Sequence, residues 1–108
     1  MHVGRVVGTL VATRKHDSLV GMKLLVVQPL NLKLKPEGFS RVMVDAVGAG
    51  VGELVLYVLG AAARYAVGKT DAAIDATVAG IVDNFEVAEQ WLKRVPPAGR
   101  AEGDEPVE

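Results

Sequence analysis

The sequence contains no cysteine, which excludes disulfide bonds and thiolate metal sites and is typical of a reducing compartment. Aromatic residues make up only 5% of the chain, whereas half of it is hydrophobic, mainly valine, leucine and alanine. This composition favours small, tightly packed strands over a large ligand pocket. The longest apolar run, Leu54–Leu59, is far shorter than the roughly 20 residues that a membrane-spanning helix needs. Arg5 interrupts the first apolar segment, so we expect no signal peptide.

Charge is nearly balanced overall, at −1, but unevenly distributed along the chain. Residues 1–50 carry seven Lys and Arg against three Asp and Glu, while residues 51–108 carry five against ten. The near-neutral total argues against nucleic-acid binding. The asymmetry is compatible with head-to-tail association, and equally with ordinary surface variation plus an acidic tail.

Alternating apolar residues predict five short strands, over residues 3–13, 22–28, 41–47, 54–59 and 74–83. An alanine-rich stretch predicts a short helix over residues 60–66, ending near Gly68. Because the first four strands are not separated by crossover helices, the pattern argues against a parallel α/β fold. The pattern therefore predicts a mainly β protein, a compact β-barrel over residues 1–83.

Beyond residue 83 the spacing changes to a helical one, which predicts a helical extension over residues 84–95 followed by an acidic, disordered tail over 96–108. Asn84 is the predicted cap, and Pro96 and Pro97 end the helix. The apolar residues of this extension are candidates for docking a partner, and packing on the protein's own barrel or on a neighbouring subunit is the alternative. They include Phe85, Trp91 and Leu92.

Three glycines alternate in the segment between Asp45 and Glu53, at positions 48, 50 and 52. Such a cluster indicates a tight or closely approached backbone, and the approaching group could be a phosphate, a strand or a neighbouring subunit. A dinucleotide fingerprint must open a helix, but residues 54–59 have strand character, so the phosphate interpretation is weak.

The sequence offers no recognisable catalytic or metal-binding set. His2 and His16 have no partner histidine at ligand spacing, and the carboxylates Asp45, Asp75 and Asp83 carry no signature of acid–base chemistry. We therefore expect no catalytic residue, no metal and no cofactor.

An ordered set of short segments closely resembles the pentameric vertex proteins of bacterial microcompartments, which include the carboxysome and ethanolamine-utilisation vertex proteins. The resemblance covers residues 1–83 and rests on residues 4–8, 12–15, 19–25, 27–30, 44–53, 60–64, 75 and 80–83. Two departures stand out: Ala61 and Ala62 replace the usual pair of serines, and Ala73 and Ile74 precede Asp75 without the common proline.

The resemblance implies a five-stranded OB-like β-barrel that assembles into homopentamers at the vertices of a polyhedral shell in the bacterial cytoplasm. It implies a non-enzymatic protein whose partners are hexameric and trimeric shell proteins, with encapsulated cargo as a further candidate for the extension, and neither nucleic acid nor membrane. Candidates for the pore or subunit interface are Asp45, Gly48, Ala49, Gly50, Gly52, Glu53 and Arg64. The alternative is an OB-like module that binds an oligonucleotide or a small ligand, which would require exposed aromatic and basic residues.

Overall fold

The computed structural model describes residues 1–94, which form five strands and two short helices. In chain order these are β1 (His2–Leu10), β2 (Leu24–Pro29), β3 (Arg41–Asp45), β4 (Leu54–Leu59), α1 (Ala61–Ala66), β5 (Ala76–Ile81) and α2 (Glu89–Leu92). One turn of 3-10 helix, Asp17–Leu19, lies between β1 and β2. The predicted strands and first helix are confirmed, although β1 ends three residues earlier than predicted, at Leu10.

The five strands close into a barrel in the order β1-β2-β3-β5-β4. All neighbouring strands are antiparallel except β3 and β5, which pair in parallel. The pairing of β1 with β2 shifts register between Val6 and Gly8, and such a bulge bends a strand around a small barrel. The mainly β, OB-like barrel expected from the sequence is therefore confirmed.

Inward-facing side chains of all five strands fill the barrel. The fully or almost fully buried ones are Val6, Leu25, Val27, Met43, Val55, Tyr57 and Val78. Successive strand residues point to opposite faces, so Leu24 and Val44 lie on the outside of the barrel. There they pack with Ala63 of α1 and with Ile74 in a second apolar cluster. The Thr77 hydroxyl, fully buried, donates a 2.9 Å hydrogen bond to the Ala63 carbonyl and fixes α1 over this cluster.

The predicted helix over residues 84–95 is wrong for its first half. Helix α2 covers only Glu89–Leu92, and Ala88 rather than Asn84 precedes it. Residues 84–88 are irregular, and Phe85, Val87 and Leu92 line one groove with Leu32 and Leu34 of the loop that follows β2. Val95, the two prolines and the predicted acidic tail lie outside the described residues.

Candidate subunit-contact loop

The loop between β3 and β4, residues 46–53, begins with a carboxylate that holds its own backbone turn. Asp45 Oδ1 accepts hydrogen bonds from the amides of Val47 and Gly48, at 3.1 and 3.0 Å. Aspartate commonly bonds the backbone two or three residues onward in this way. The Asp45 side chain is only 1% exposed, so this carboxylate serves the loop and is not presented to solvent.

A second carboxylate and a lysine also form hydrogen bonds with the backbone of the loop. Glu53 Oε1 accepts a 2.7 Å hydrogen bond from the Gly50 amide. Lys23 Nζ donates to the carbonyl of the buried Ala49 at 2.9 Å and lies 3.7 Å from Asp45 Oδ2. Because Lys23 comes from the segment before β2, the loop is tied to the barrel as well as to itself.

The end of the loop is bonded to β1. The Gly52 amide donates to the Val6 carbonyl at 2.8 Å, and Arg5 Nη1 donates to the Gly52 carbonyl at 2.9 Å. Val51, at the tip, remains 63% exposed. The loop is thus bonded to the barrel at both ends and buries Ala49 in the core, while Val51 stays exposed.

The three glycines of the loop differ in their backbone conformation and in the space around them. Gly48 and Gly52 have φ angles of +79° and +93°, a region that side chains rarely adopt, and a Cβ at either would meet no atom within 4 Å. Gly50 has no positive φ, and a Cβ there would lie 3.4 Å from Glu53 Oε1. The glycines at positions 48 and 52 therefore answer to backbone conformation, and the Gly52 backbone is approached by β1 through its hydrogen bonds with Val6 and Arg5.

Six of the seven predicted contact residues come together in or beside this loop; the exception is Arg64. It lies on α1, partly buried, and its Nη1 donates to the Ile74 carbonyl at 3.3 Å. In the single chain, Arg64 therefore ties α1 to the segment before β5.

Replacing Asp45 with alanine is expected to lower the free energy of unfolding by about 1–3 kcal/mol, because the amides of Val47 and Gly48 lose their acceptor. Asp45→Asn is the matched control, since it keeps an oxygen at this position and removes only the ion pair with the half-exposed Lys23, worth about 0–1 kcal/mol. Urea unfolding at one protein concentration measures the free energy of unfolding of both variants. Equal losses for the two variants would contradict this role of the carboxylate.

The predicted docking residues lie at a different place on the barrel. Trp91 is 55% exposed, and the Arg94 guanidinium stacks over its ring at 4.5 Å. Both line a cleft of about 680 Å³ together with Met1, His2, Val3, Leu30, Leu32, Glu37, Leu56 and Tyr57, among others. Phe85 and Leu92 instead line a second groove, with Leu32 and Leu34. The sequence spacing predicts Phe85, Trp91 and Leu92 on one helix, but Phe85 lies outside α2.

Tyr57 lies at the inner end of this cleft, with its ring stacked on His2 at a centroid distance of 5.1 Å. Burial raises the pKa of the Tyr57 hydroxyl, and the nearby charge of Arg41 partly opposes that rise. The phenol therefore stays protonated at neutral pH and is not a base.

No three His, Cys, Asp or Glu side chains within residues 1–94 are grouped so as to hold a metal ion. His16 Nδ1 is bonded locally to Ser18, at 2.8 Å from its hydroxyl. None of the helices described is long and apolar enough to cross a membrane.

The outer face of β2 and β3, where OB folds bind nucleic acid, carries Val26 and the 46% exposed Val42. Base stacking requires aromatic rings at such positions. The exposed aromatic residues of the described chain, Phe39, Tyr65 and Trp91, lie outside these strands. This face therefore does not favour the oligonucleotide alternative.

Comparison with known proteins gives consistent matches. The family model described as ethanolamine utilisation protein EutN/carboxysome matches residues 1–83. The chain is 52% identical over 86 residues to the bacterial microcompartment shell vertex protein GrpN of Rhodospirillum rubrum, which covers 80% of this chain and 97% of GrpN. It is 43% identical over 100 residues to the carboxysome shell vertex protein CcmL of Synechocystis sp., which covers 93% of this chain and 100% of CcmL.

Solved structures agree with this result. The GrpN pentameric microcompartment shell protein from Rhodospirillum rubrum superposes with a TM-score of 0.75 at 49% identity, covering 82% of this chain and 100% of GrpN. A carboxysome subunit, CcmL, gives a TM-score of 0.77 at 45% identity, covering 82% of this chain and 92% of that one.

Proposed function

Because the chain belongs to the family described as ethanolamine utilisation protein EutN/carboxysome, we propose that it is a structural, non-enzymatic shell protein of a bacterial microcompartment. It forms homopentamers that occupy the vertices of the shell, in the bacterial cytoplasm. The observation that carries this proposal is the family match over residues 1–83, which spans the entire barrel. Relatives described as shell vertex proteins, one of them as pentameric, support it.

The physical requirements of a vertex support the same function. A flat hexagonal layer cannot close on itself, and units with five-fold symmetry supply the missing curvature. A ring of five needs a head-to-tail contact between two different faces of each subunit. Loop 46–53 is held by hydrogen bonds and contains three glycines, which suits close approach to the five-fold axis or to a neighbouring subunit. Arg64 is a further candidate for a polar contact between subunits.

The proposed partners beyond the ring are the hexameric and trimeric proteins that tile the rest of a shell. Encapsulated cargo is a further candidate partner for the segment after residue 83. Phe85 and Leu92 are partly buried, whereas Trp91 is 55% exposed and is the side chain best placed for an external contact.

The purified protein is expected to have a native mass of five times the 11.4 kDa chain. Native mass spectrometry measures this directly, and mixing with a hexameric shell protein should yield closed particles that do not form without it. A single-chain mass across the micromolar range would contradict the proposal. Titration with single-stranded oligonucleotide at low salt tests the alternative binding function, and we expect no binding.

A further inference from the structure

Residues 83–94, which we call the arm, lie against the barrel without sharing its network of backbone hydrogen bonds. The Val82 amide donates to the Leu54 carbonyl at 2.8 Å, and this bond is the last one between backbone groups that ties the end of β5 to the barrel within residues 1–94. Beyond it, the backbone bonds of the described arm join residues 88–94 to one another. The backbone of the arm therefore does not hold it on the barrel.

Side chains attach the arm to the barrel, and no side chain of the arm is fully buried. Phe85, Val87 and Leu92 are partly buried and line one groove with Leu32 and Leu34 of the loop after β2. Among the described residues, neither of the two buried apolar clusters includes a member of the arm. The arm is thus anchored in a surface groove and is not part of the core that holds the strands together.

The helical end of the arm is also weakly fixed. Helix α2 has four residues and no side-chain cap, and isolated helices of this length are unstable in water. Trp91 and Arg94 line a cleft of about 680 Å³ with Val3 and Leu56 of the barrel, so this side of the arm borders a cavity and not a packed surface. The stacking of Arg94 on the Trp91 ring lies within the arm and does not tie it to the barrel.

The barrel differs from the arm in each of these respects. Its five strands are joined by a closed set of hydrogen-bonded pairings, and its core side chains are almost completely buried. Segments with few buried apolar contacts and only local backbone bonds open at a lower free energy than the rest of a protein. This contrast predicts two units of different stability in one short chain.

From these observations we propose that the arm opens from the barrel as one unit while the barrel stays folded. In the closed arm, Phe85 and Leu92 are partly buried and Trp91 is exposed. Opening uncovers Leu32 and Leu34 and frees Phe85 and Leu92 to join Trp91 in external contacts. The arm thus controls how much of the predicted docking surface a partner meets. This opening does not depend on the proposed pentamer.

Cysteine labelling tests the opening, because the chain has no cysteine of its own. Leu92→Cys reports on the arm, and Val27→Cys, at a side chain with 0% exposure, reports on unfolding of the barrel. Both full-length variants are treated with N-ethylmaleimide at one protein concentration, and the label is followed by mass spectrometry. Since labelling follows the population of the open form, we expect Leu92→Cys to react at least about a hundredfold faster than Val27→Cys.

Phe85→Ala separates opening of the whole arm from the partial exposure that Leu92 already has. Because Phe85 and Leu92 line the same groove, loss of the phenyl ring should speed labelling of Leu92→Cys by about tenfold, less than removal of a fully buried ring would. It should leave labelling of Val27→Cys unchanged, since the ring is not part of the barrel core. Gln90→Ala, at an exposed position of α2, is the matched control and should change neither rate.

Three results would overturn the proposal. Similar labelling rates for Leu92→Cys and Val27→Cys would show that the arm leaves only when the barrel unfolds. A Phe85→Ala substitution without effect at Leu92→Cys would show that the arm does not open as one unit, and an equal acceleration at Val27→Cys would make the arm part of the barrel. Val87→Cys, on the same groove, repeats the test in case Leu92→Cys itself displaces the arm. The native mass of the unsubstituted protein tests the pentamer separately.

Discussion

Replacing Gly4 with valine is expected to lower the free energy of unfolding by about 3 kcal/mol, the upper part of the range for overpacking a core. Gly4 is buried in β1. A Cβ there would lie 2.5 Å from Val27 Cγ1, 3.1 Å from the Gln28 carbonyl and 3.2 Å from Tyr57 Cε1. The first of these is a stiff, fully buried side chain and the second is backbone, so neither can move aside without disturbing β2. Since small domains are stable by only about 5–15 kcal/mol, the loss is large.

Gly80→Ala is the matched control for this substitution. Gly80 also lies in a strand, but its Cβ would come no closer than 3.6 Å, to Leu56, which is ordinary van der Waals contact. We expect a change within about 0.5 kcal/mol, helped by the lower entropy of the unfolded chain. Denaturant unfolding should be compared at one protein concentration, because assembly adds concentration-dependent stability. Similar unfolding midpoints for the two variants would show that β1 is not tightly packed at Gly4.

The strands could be predicted from the sequence because their residues alternate in a period of two. Val6 is buried and Val7 is half exposed, as that alternation requires. The order in which the strands close the predicted barrel could not be derived in the same way. It depends on the parallel pairing of Val44 with Thr77, which are far apart in sequence, and on the bulge between Val6 and Gly8. Neither the parallel pairing nor the bulge produces a recognisable pattern in the neighbouring sequence.

The sequence shows the glycine cluster of this loop, but spacing alone could not separate Gly48 and Gly52, which have a positive φ, from Gly50, whose amide donates to Glu53. An aspartate followed three residues later by a glycine was the available signal for the Asp45 turn. The predicted helix over residues 84–95 is wrong for another reason. Phe85 and Leu92 are seven positions apart, which fits one helical face, but only Glu89–Leu92 is helical and residues 84–88 are irregular.

Replacing Gly50 with leucine is expected to prevent ring formation while leaving the barrel folded. The backbone at Gly50 has no positive φ, so a side chain is tolerated there, unlike at Gly48 or Gly52. Within the single chain a Cβ meets only the end of the Glu53 side chain, at 3.4 Å, and that carboxylate can shift. If the loop lies at the axis or at a subunit contact, each leucine adds bulk to a packed surface, at about 1–3 kcal/mol for every copy. The penalty is repeated around the whole ring, so the native mass should fall from five chains to one.

Gly50→Ala is the control, because a single methyl group fits beside Glu53 and should leave the pentamer intact. Circular dichroism of both variants separates loss of assembly from loss of fold. A Gly50→Leu protein that remains fully pentameric and still completes shells would exclude the loop from the axis and from the subunit contacts. Loss of the ring in the leucine variant but not in the alanine variant would instead show that the loop approaches another subunit too closely to admit a large side chain.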